Sequence, residues 1–507
     1  MATDRLSRGL PGALGGPIDP DALTLDRVRG GALADRPVTV LGFARSGIAL
    51  ARFLADAGAR VTIYDGRPEG ELAGAIAALE GRQARLLLGP EVDPATAWDG
   101  AALVTTSPSI NPAFPTTEPR LRAALTTLVE RRAAGDRSLP ALISEPDLFL
   151  RLCPAPTIGV TGTKGKTTTA ALTHALFASD PEHPAVLGGN IGIPIIERLP
   201  ELTPRHRIVY ELSELQLPTL SRGTTTAVYT NVTADHLDRH GSLEAYRNVK
   251  RRLAELVDPA GALILNAEDP VVRAYAELAN APAILYQRDR PASGGVGVVD
   301  GWIVAEGVER IARFGGGPAA TGPDGRIMPI AELAIPGRHN VSNALAAVAA
   351  ALAFGVEPDG IRRAAAAFKG VEHRLEEVAR RDGVLYVNDS KATNVDSTLV
   401  ALASFDVPVH LVLGGQGKGQ DFALLRDAVA ARARAVYLIG EDAERIAGAL
   451  DGAATLHRCS VLERAVAAAR AAARPGEVVL LSPACASFDQ YADFEERGRH
   501  FKELVQG

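Results

Sequence analysis

Cysteine is scarce: Cys153, Cys459 and Cys485 are the three in 507 residues, without the paired spacing of a disulfide framework or a zinc site. A reducing compartment fits that usage. No run of about 18 apolar residues occurs, so no membrane-spanning helix is expected. The opening stretch MATDRLSRGLPGALGGPIDP lacks an apolar core of signal-peptide length, which makes the cytoplasm the expected location. Positive charge is not in excess: 54 Lys and Arg stand against 60 Asp and Glu, a formal charge of −6, with no basic block. Nucleic acid is therefore not expected as a partner, and an anionic ligand must be met by local cations. What is present, 47% hydrophobic and 22% charged residues, describes an ordinary globular protein. The length exceeds one compact core and predicts two to four domains.

Residues 1–36, rich in Gly, Pro and Asp, read as a loose N-terminal arm. VTVLGFARSG (38–47) reads as a buried strand running into a tight turn, followed by a helical segment and a second strand, RVTIYD (60–65), with Asp65 at its tip. TTSPSINPAFPTTEP (105–119) has the composition of a surface loop. A new unit begins near Glu145, with strands predicted at TIGV (157–160), RIVYEL (207–212), TTAVYTNV (225–232) and ALILNA (262–267). Residues 290–328, glycine-rich and without helical period, predict short β structure or a long loop. A third unit starts near His373, with strands at VLYVND (384–389), VHLVLGG (409–415), AVYLIG (435–440) and EVVLLSP (477–483). Strand–helix alternation implies parallel sheets covered on both faces. The expected fold is therefore α/β in three domains, 37–144, 145–370 and 371–507, the outer two Rossmann-like and the central one a P-loop ATPase-type sheet.

Gly162, Thr163, Lys164, Gly165, Lys166, Thr167 and Thr168 form a short loop between a strand and a helix. Glycines there let backbone N–H groups turn toward an anionic oxygen, and the helix N-terminus adds partial positive charge. Lys166 can reach the β- and γ-phosphates of a nucleotide, and the Thr167 hydroxyl can ligate Mg²⁺. Gly162 lies four positions before Lys166, closer than in GxxxxGK[ST], which favours a ligase-type variant over a kinase or GTPase. Glu211, ending a strand in YELSELQ, could add a metal oxygen; alone it reads equally as a strand end facing water. Asp235, His236, Asp238 and Arg239 follow a strand, where open α/β sheets bind ligands. Lys250, on one helix with Arg247, Arg251 and Arg252, reads as part of a solvated basic face.

Taken together, GTKGKTTT, GGNIG (188–192), YELSELQ, NVTADHLDRH and YRNVK resemble the successive ATPase-domain motifs of the Mur ligase family, and GRHNVSNALAA (337–347) and EHRLE (372–376) fit the same series. The resemblance spans about residues 37 to 503. It implies a UDP-substrate domain, an ATP domain and an amino-acid domain in chain order, working with ATP and two Mg²⁺. It implies a carbamylated Lys250 whose new carboxylate bridges the second Mg²⁺, with Thr167, Glu211 and His236 as further metal ligands. Asn190 and His236 would orient the metal and an acyl phosphate, and Asn340, Asn343, Arg374 and Asp389 would contact the nucleotide. NDSKATN (388–394), LGGQGKGQDF (413–422) and SPACASFDQYADFEERG (482–498) resemble the glutamate-adding branch of the family, which implies UDP-N-acetylmuramoyl-L-alanine and D-glutamate as substrates. Lys391, Thr393, Lys418 and Ser487, with Phe494 as an apolar wall, match its amino-acid contacts and supply the cations and hydroxyls that a dicarboxylate needs. A monomer is expected.

In the first domain, Gly42 to Gly47 resembles a dinucleotide fingerprint with Ala44 in place of its middle glycine. Asp65 comes 23 positions after Gly42, which suits a ribose hydroxyl. By itself this supports the alternative of an NAD(P)-binding oxidoreductase. The family resemblance instead assigns Ser46, Asp65 and Arg67, with Ser109, Ser213 and Gln216, to the UDP substrate. Four places depart from the family pattern: Lys164 for Asn, Glu214-Leu215 for Ser-Phe, Ser109 for Gly and Gln416 for an acidic residue. They keep open a sister ligase using L-glutamate, another amino acid or another UDP-sugar acceptor. A non-catalytic nucleotide-binding regulator is opposed by Lys166, Thr167, Glu211 and Lys250.

Overall fold

Short apolar runs closed by Gly, Asp or Asn become the strands, and the Ala-rich stretches between them become the covering helices. The computed structural model describes residues 15–191, 194–234, 237–308, 323–335, 337–417 and 419–507. The first sheet contains β1 (Pro37–Leu41), β2 (Arg60–Asp65), β3 (Ala84–Leu88), β4 (Leu103–Thr106) and β5 (Ala141–Ser144), all parallel in the order β3-β2-β1-β4-β5.

The second sheet contains β6 (Thr157–Thr161), β7 (Ala185–Gly189), β8 (Arg207–Glu211), β9 (Thr226–Tyr229), β10 (Ala262–Asn266) and β11 (Ala283–Tyr286). It continues through β12 (Gly295–Val299), β13 (Trp302–Glu306) and β14 (Arg326–Pro329). The order is β14-β13-β12-β11-β10-β9-β6-β8-β7, parallel except for the antiparallel β12-β13-β14 edge. Residues 290–328 thus form short β structure where they are described. Strand β6 lies between β8 and β9, so successive crossovers leave it on opposite sides and open a crevice at its carboxyl end.

The third sheet contains β15 (Glu376–Arg381), β16 (Val384–Asn388), β17 (Val409–Gly414), β18 (Ala433–Ile439), β19 (Thr455–Ser460) and β20 (Val478–Leu481). Its order is β15-β16-β20-β17-β18-β19, with β15 antiparallel at the edge.

The chain divides into two compact units, one ending at Phe368 and the other beginning at Lys369. The expected division between 144 and 145 falls inside the first unit and marks a change of sheet. Its reason is a shared core: one buried cluster joins Val40, Ile63 and Leu103 of the first sheet to Leu148, Phe149, Ile196 and Tyr210 beside the second.

Residues 15–36 correct the expectation of a loose arm. Thr24 caps the helix Leu25–Arg29, accepting from the Arg27 amide at 3.3 Å, and Ile18 donates its amide to Ala102 at 2.8 Å. Ile18, Leu23, Leu25, Val28 and Leu33 are buried in the same cluster as β1. Apolar burial outweighs the Gly and Pro content that suggested looseness. Among the described residues no helix is long and apolar enough to cross a membrane.

Candidate active site

The loop after β6 is held open by its neighbours. Gly162 has φ +145°, and a Cβ there would lie 2.0 Å from Thr230 Oγ1. Gly165, at φ +85°, begins the helix Lys166–Phe177 without a side-chain cap. The brace comes from the end of β9: Asn231 O accepts the Thr163 amide at 2.7 Å, Asn231 Oδ1 accepts the Lys164 amide at 2.9 Å, and Asn231 Nδ2 donates to Lys164 O at 2.9 Å. The Thr163 and Lys164 amides are thus committed, and the orphan amides at the helix start are the ones available to an anion. Lys166 Nζ donates to Thr163 O at 2.8 Å, within its own loop. Thr167 is buried and Lys164 exposed.

The helix Arg338–Ala353 packs on the helix Lys166–Phe177 and brings Asn340 and Asn343 to the loop. Asn343 Oδ1 accepts from Thr169 Oγ1 at 3.3 Å and lies 2.5 Å from where a Gly165 Cβ would stand, while Asn343 Nδ2 donates to Asn340 Oδ1 at 3.1 Å. A side chain at 165 would displace this amide.

Glu211 ends β8 beside β6, with the register pairing it to Val160. It is 1% exposed, and Asn190 holds it twice: Nδ2 donates to Oε1 at 3.0 Å and the backbone amide to the Glu211 carbonyl at 2.9 Å. Glu211 Oε2 is buried with no hydrogen-bond partner among the described residues. An orphaned carboxylate oxygen beside a phosphate loop has the chemistry of a hard-cation ligand. No three His, Cys, Asp or Glu side chains gather into a metal cage among the described residues. Mg²⁺ needs none, because it keeps waters and phosphate oxygens.

The solvated reading of Lys250 is overturned. It is 0% exposed, its Nζ lies 3.4 Å from Thr161 Oγ1 and 5.5 Å from the Tyr246 ring centroid, and Thr161 Oγ1 in turn donates to Leu212 O. The helix Leu243–Leu256 turns this one position inward while Arg247 and Arg251 remain outside the core. Tyr246, one turn earlier, joins the same helix to the loop through its hydroxyl, 3.0 Å from Thr163 Oγ1. His236 and Asp235 lie outside the described residues, as does the Asp238 side chain. Arg239 Nη1 donates to the buried Glu214 Oε1 at 2.8 Å.

A cleft of about 190 Å³ gathers Ser46, Ser109, Ser213 and Gln216 with Asn190. Leu215 lines it too, alongside Arg45 and Glu145. Asn190 therefore belongs both to the cleft and to the Glu211 pair. At the end of β2, Asp65 accepts the Phe43 amide at 2.8 Å and takes Arg67 Nε and Nη2 at 3.0 and 2.9 Å. Burial raises the Asp65 carboxyl, but the bonds from Arg67 and Phe43 outweigh it and hold it below the usual range. Asp65 and Arg67 thus form the wall of the Gly42 turn.

In the second unit the loop after β16 and the segment after β20 carry the expected amino-acid residues. Lys391 Nζ lies 5.9 Å from the Phe494 ring centroid, Thr393 donates its amide to Lys391 O at 2.9 Å, and the buried Ser487 hydroxyl has no hydrogen-bond partner. Lys418 lies outside the described residues. Asp389 accepts from Ser482 Oγ at 2.8 Å and from the Leu375 amide at 3.1 Å, and burial pushes its carboxyl up to about 7. Arg374 sits in the adjoining turn, bridged to Val371.

Four residues escaped the sequence reading. Asn231 and Tyr246 stand inside recognised motifs, yet nothing local signals that they brace the loop. Glu145 marked only the place near which a new unit begins. Arg497, 1% exposed, donates to Ser390 Oγ and Ser390 O, each at 2.9 Å, and to Cys485 O at 3.1 Å, tying together the two segments that present Lys391 and Ser487. Burial pulls its guanidinium down to about 10.

Comparison with known proteins adds to this geometry. Residues 160–351 match the model of the Mur ligase middle domain, and residues 373–485 that of the "Mur ligase, glutamate ligase domain". The UDP-N-acetylmuramoylalanine–D-glutamate ligase of Acidobacterium capsulatum is 40% identical, over 93% of this chain and 96% of that one. The enzyme of the same name from Myxococcus xanthus is 38% identical, over 94% and 99%. Among solved structures, the UDP-N-acetylmuramate-alanine ligase of Thermotoga maritima shares the fold with a TM-score of 0.54 at 17% identity, over 93% of this chain and 99% of that one. MurF from Acinetobacter baumannii does so at 0.52 and 13%, over 96% and 99%.

Proposed function

The chain belongs to the Mur ligase family and is an ATP-dependent ligase; on that premise we propose that it joins D-glutamate to UDP-N-acetylmuramoyl-L-alanine in peptidoglycan precursor synthesis. The observation that carries this reading is the double role of Asn190. It lines the acceptor cleft and also holds Glu211, so an acceptor carboxylate and a metal-bound triphosphate meet at one side chain.

A carboxylate is a poor electrophile, so amide formation needs a better leaving group. The terminal carboxylate of the acceptor attacks the γ-phosphorus of ATP, giving an acyl phosphate and ADP. The amine of glutamate then attacks the acyl carbon, the tetrahedral adduct expels inorganic phosphate, and the amine's protons pass to base or solvent. Lys166 and the uncapped amides of the helix Lys166–Phe177 stabilise charge on the transferring phosphoryl group. Bound Mg²⁺, at two positions, supplies electrophilic neutralisation of the phosphate oxygens. Thr167 and the orphan oxygen of Glu211 would hold one ion, while a carbamate on Lys250 and the imidazole of His236 complete the set. Asn340 and Asn343 support the nucleotide end of the loop, with Arg374 and Asp389 as further nucleotide contacts. Ser46, Asp65, Arg67, Ser109, Ser213 and Gln216 hold the UDP-sugar. Lys391, Thr393, Lys418 and Ser487 bind the carboxylates of glutamate against Phe494. Closure that excludes water protects the acyl phosphate.

The test is phosphate release by purified protein given ATP, Mg²⁺ and UDP-N-acetylmuramoyl-L-alanine, across D-glutamate, L-glutamate and other amino acids. Release that depends on D-glutamate is expected. Preference for L-glutamate or another amino acid identifies a sister ligase, and no ATP splitting with any pair overturns the reading. For Lys250→Ala, a loss of turnover partly restored by added short carboxylic acids is expected, since they supply the missing anion. Full activity without addition removes the carbamate from the mechanism.

A further inference from the structure

Glu145 is a buried acid that the ligase mechanism leaves without a task. It follows β5 directly, at the start of the helix Glu145–Leu152, and is 3% exposed. It nevertheless lines the cleft that holds Asn190, Ser213 and Gln216. One of its carboxyl oxygens accepts the Ile196 amide at 3.3 Å. Among the described residues that is its one hydrogen bond, and it has no ion pair. A carboxylate so poorly compensated is costly in a protein interior, whereas the protonated acid is not. A protonated carboxyl is also a donor, and Glu145 lines the cleft with one oxygen not engaged by Ile196 among the described residues.

We infer that Glu145 is a proton-bearing donor of the acceptor cleft, giving a hydrogen bond to an anionic oxygen, carboxylate or phosphate, of the UDP-sugar acceptor. The role rests on the reading of this cleft as the acceptor site. Burial pushes the Glu145 carboxyl up to about 7, so the donor is present in mildly acidic solution and lost as pH rises through neutrality. Above that point the acid becomes an anion facing an anionic ligand.

The groups around Glu145 leave this assignment to it. Tyr210, on β8, has a fully buried hydroxyl without a partner, and burial raises it well above its ordinary value, so it stays neutral. On Glu145's own helix, Asp147 pairs with Arg151 at 3.0 Å and accepts the Ser221 amide at 2.7 Å, and just past its end burial pushes the Cys153 thiol up to about 12. Glu211 is held by Asn190, which lines the same cleft, and Arg45 stands on the cleft wall.

The experiment is initial-rate kinetics of full-length wild type, Glu145→Gln and Glu145→Ala from about pH 6 to about pH 9, with melting temperatures recorded in parallel. Glutamine keeps an acceptor for the Ile196 amide and remains a donor at every pH. Expected are a wild-type KM for UDP-N-acetylmuramoyl-L-alanine that rises about tenfold across neutrality, and a flat, low KM in Glu145→Gln. The alanine variant should show a KM raised about tenfold at acidic pH, and the KM for ATP should be unchanged throughout. A Glu145→Gln profile that parallels wild type, or an alanine variant with wild-type KM at acidic pH, overturns the role while leaving the functional reading intact. Wild-type protein that releases no phosphate with this acceptor overturns the functional reading, and the role with it.

Discussion

Two glycine turns stand at the carboxyl ends of central parallel strands, and they face different chemistry. After β1, Gly42 has φ +87° and a Cβ at Gly47 would lie 1.8 Å from Gly42 O; after β6, Gly162 and Gly165 have φ +145° and +85°. Both turns lead into helices without a side-chain cap. They differ in what the neighbouring strand offers. The end of β2 sets the carboxylate of Asp65 on the Phe43 amide, with Arg67 over it. The segment after β9 sets the neutral side-chain amide of Asn231 on the Lys164 backbone and the Asn231 carbonyl on the Thr163 amide. An acid at the turn repels phosphate and accepts hydroxyl or imide N–H donors, as a nucleoside offers. A neutral amide leaves the field of the helix start unopposed, which a triphosphate requires. Glycine spacing makes the turn, and the residue across from it sets the charge a ligand would meet.

The largest expected break is Lys166→Ala, which removes the cation at the helix start of the second turn. It should cost at least ~3 kcal/mol of transition-state stabilisation, a fall of 100-fold or more in kcat by phosphate release. Asn231→Asp is next: the shape is kept, but a carboxylate oxygen then faces Lys164 O and the second turn acquires the acid of the first. The KM for ATP should rise about tenfold, with the acceptor KM unchanged. An unaltered ATP KM would show that the brace is incidental.

Asp65→Asn makes the reverse exchange and should raise the acceptor KM by about three- to tenfold. It also has a pH signature. Because the folded carboxyl of Asp65 lies below its ordinary value, its contribution to stability is present above the unfolded pKa and is lost as pH falls through the folded one. The asparagine variant, compared by denaturant titration, should lose on the order of 1–2 kcal/mol near neutrality and show a shallower decline in acid. Lys164→Asn should matter least: the side chain is exposed, so the ATP KM should shift less than about threefold, and mainly at low ionic strength.

The strands named from sequence return with small changes of boundary. VHLVLGG becomes β17 at Val409–Gly414, and AVYLIG begins two residues early as β18 at Ala433–Ile439. These are long buried runs, whose apolarity is a local property. The strand Ala185–Gly189 was not separated from its surroundings, because AVLGG is short and ends in glycines. In the site, the loop from Gly162 to Thr168 and the strand-end acid Glu211 were legible because each sits where a strand stops. Lys250 was misread for the opposite reason: it is one base among four on its helix, and its burial depends on Thr161, which reaches it from far along the chain.

Sequence by itself determined the α/β alternation and the phosphate loop, since these follow from the residue types that end each strand, and the family resemblance of its motifs supplied the kind of chemistry. Tertiary structure alone decided which strand ends stand together. The order β9-β6-β8 sets Asn231 on one side of the loop and Glu211 on the other, and the shared core closes Glu145 into the cleft. No local periodicity carries that information, because sheet order and burial are settled by packing between segments distant in the chain.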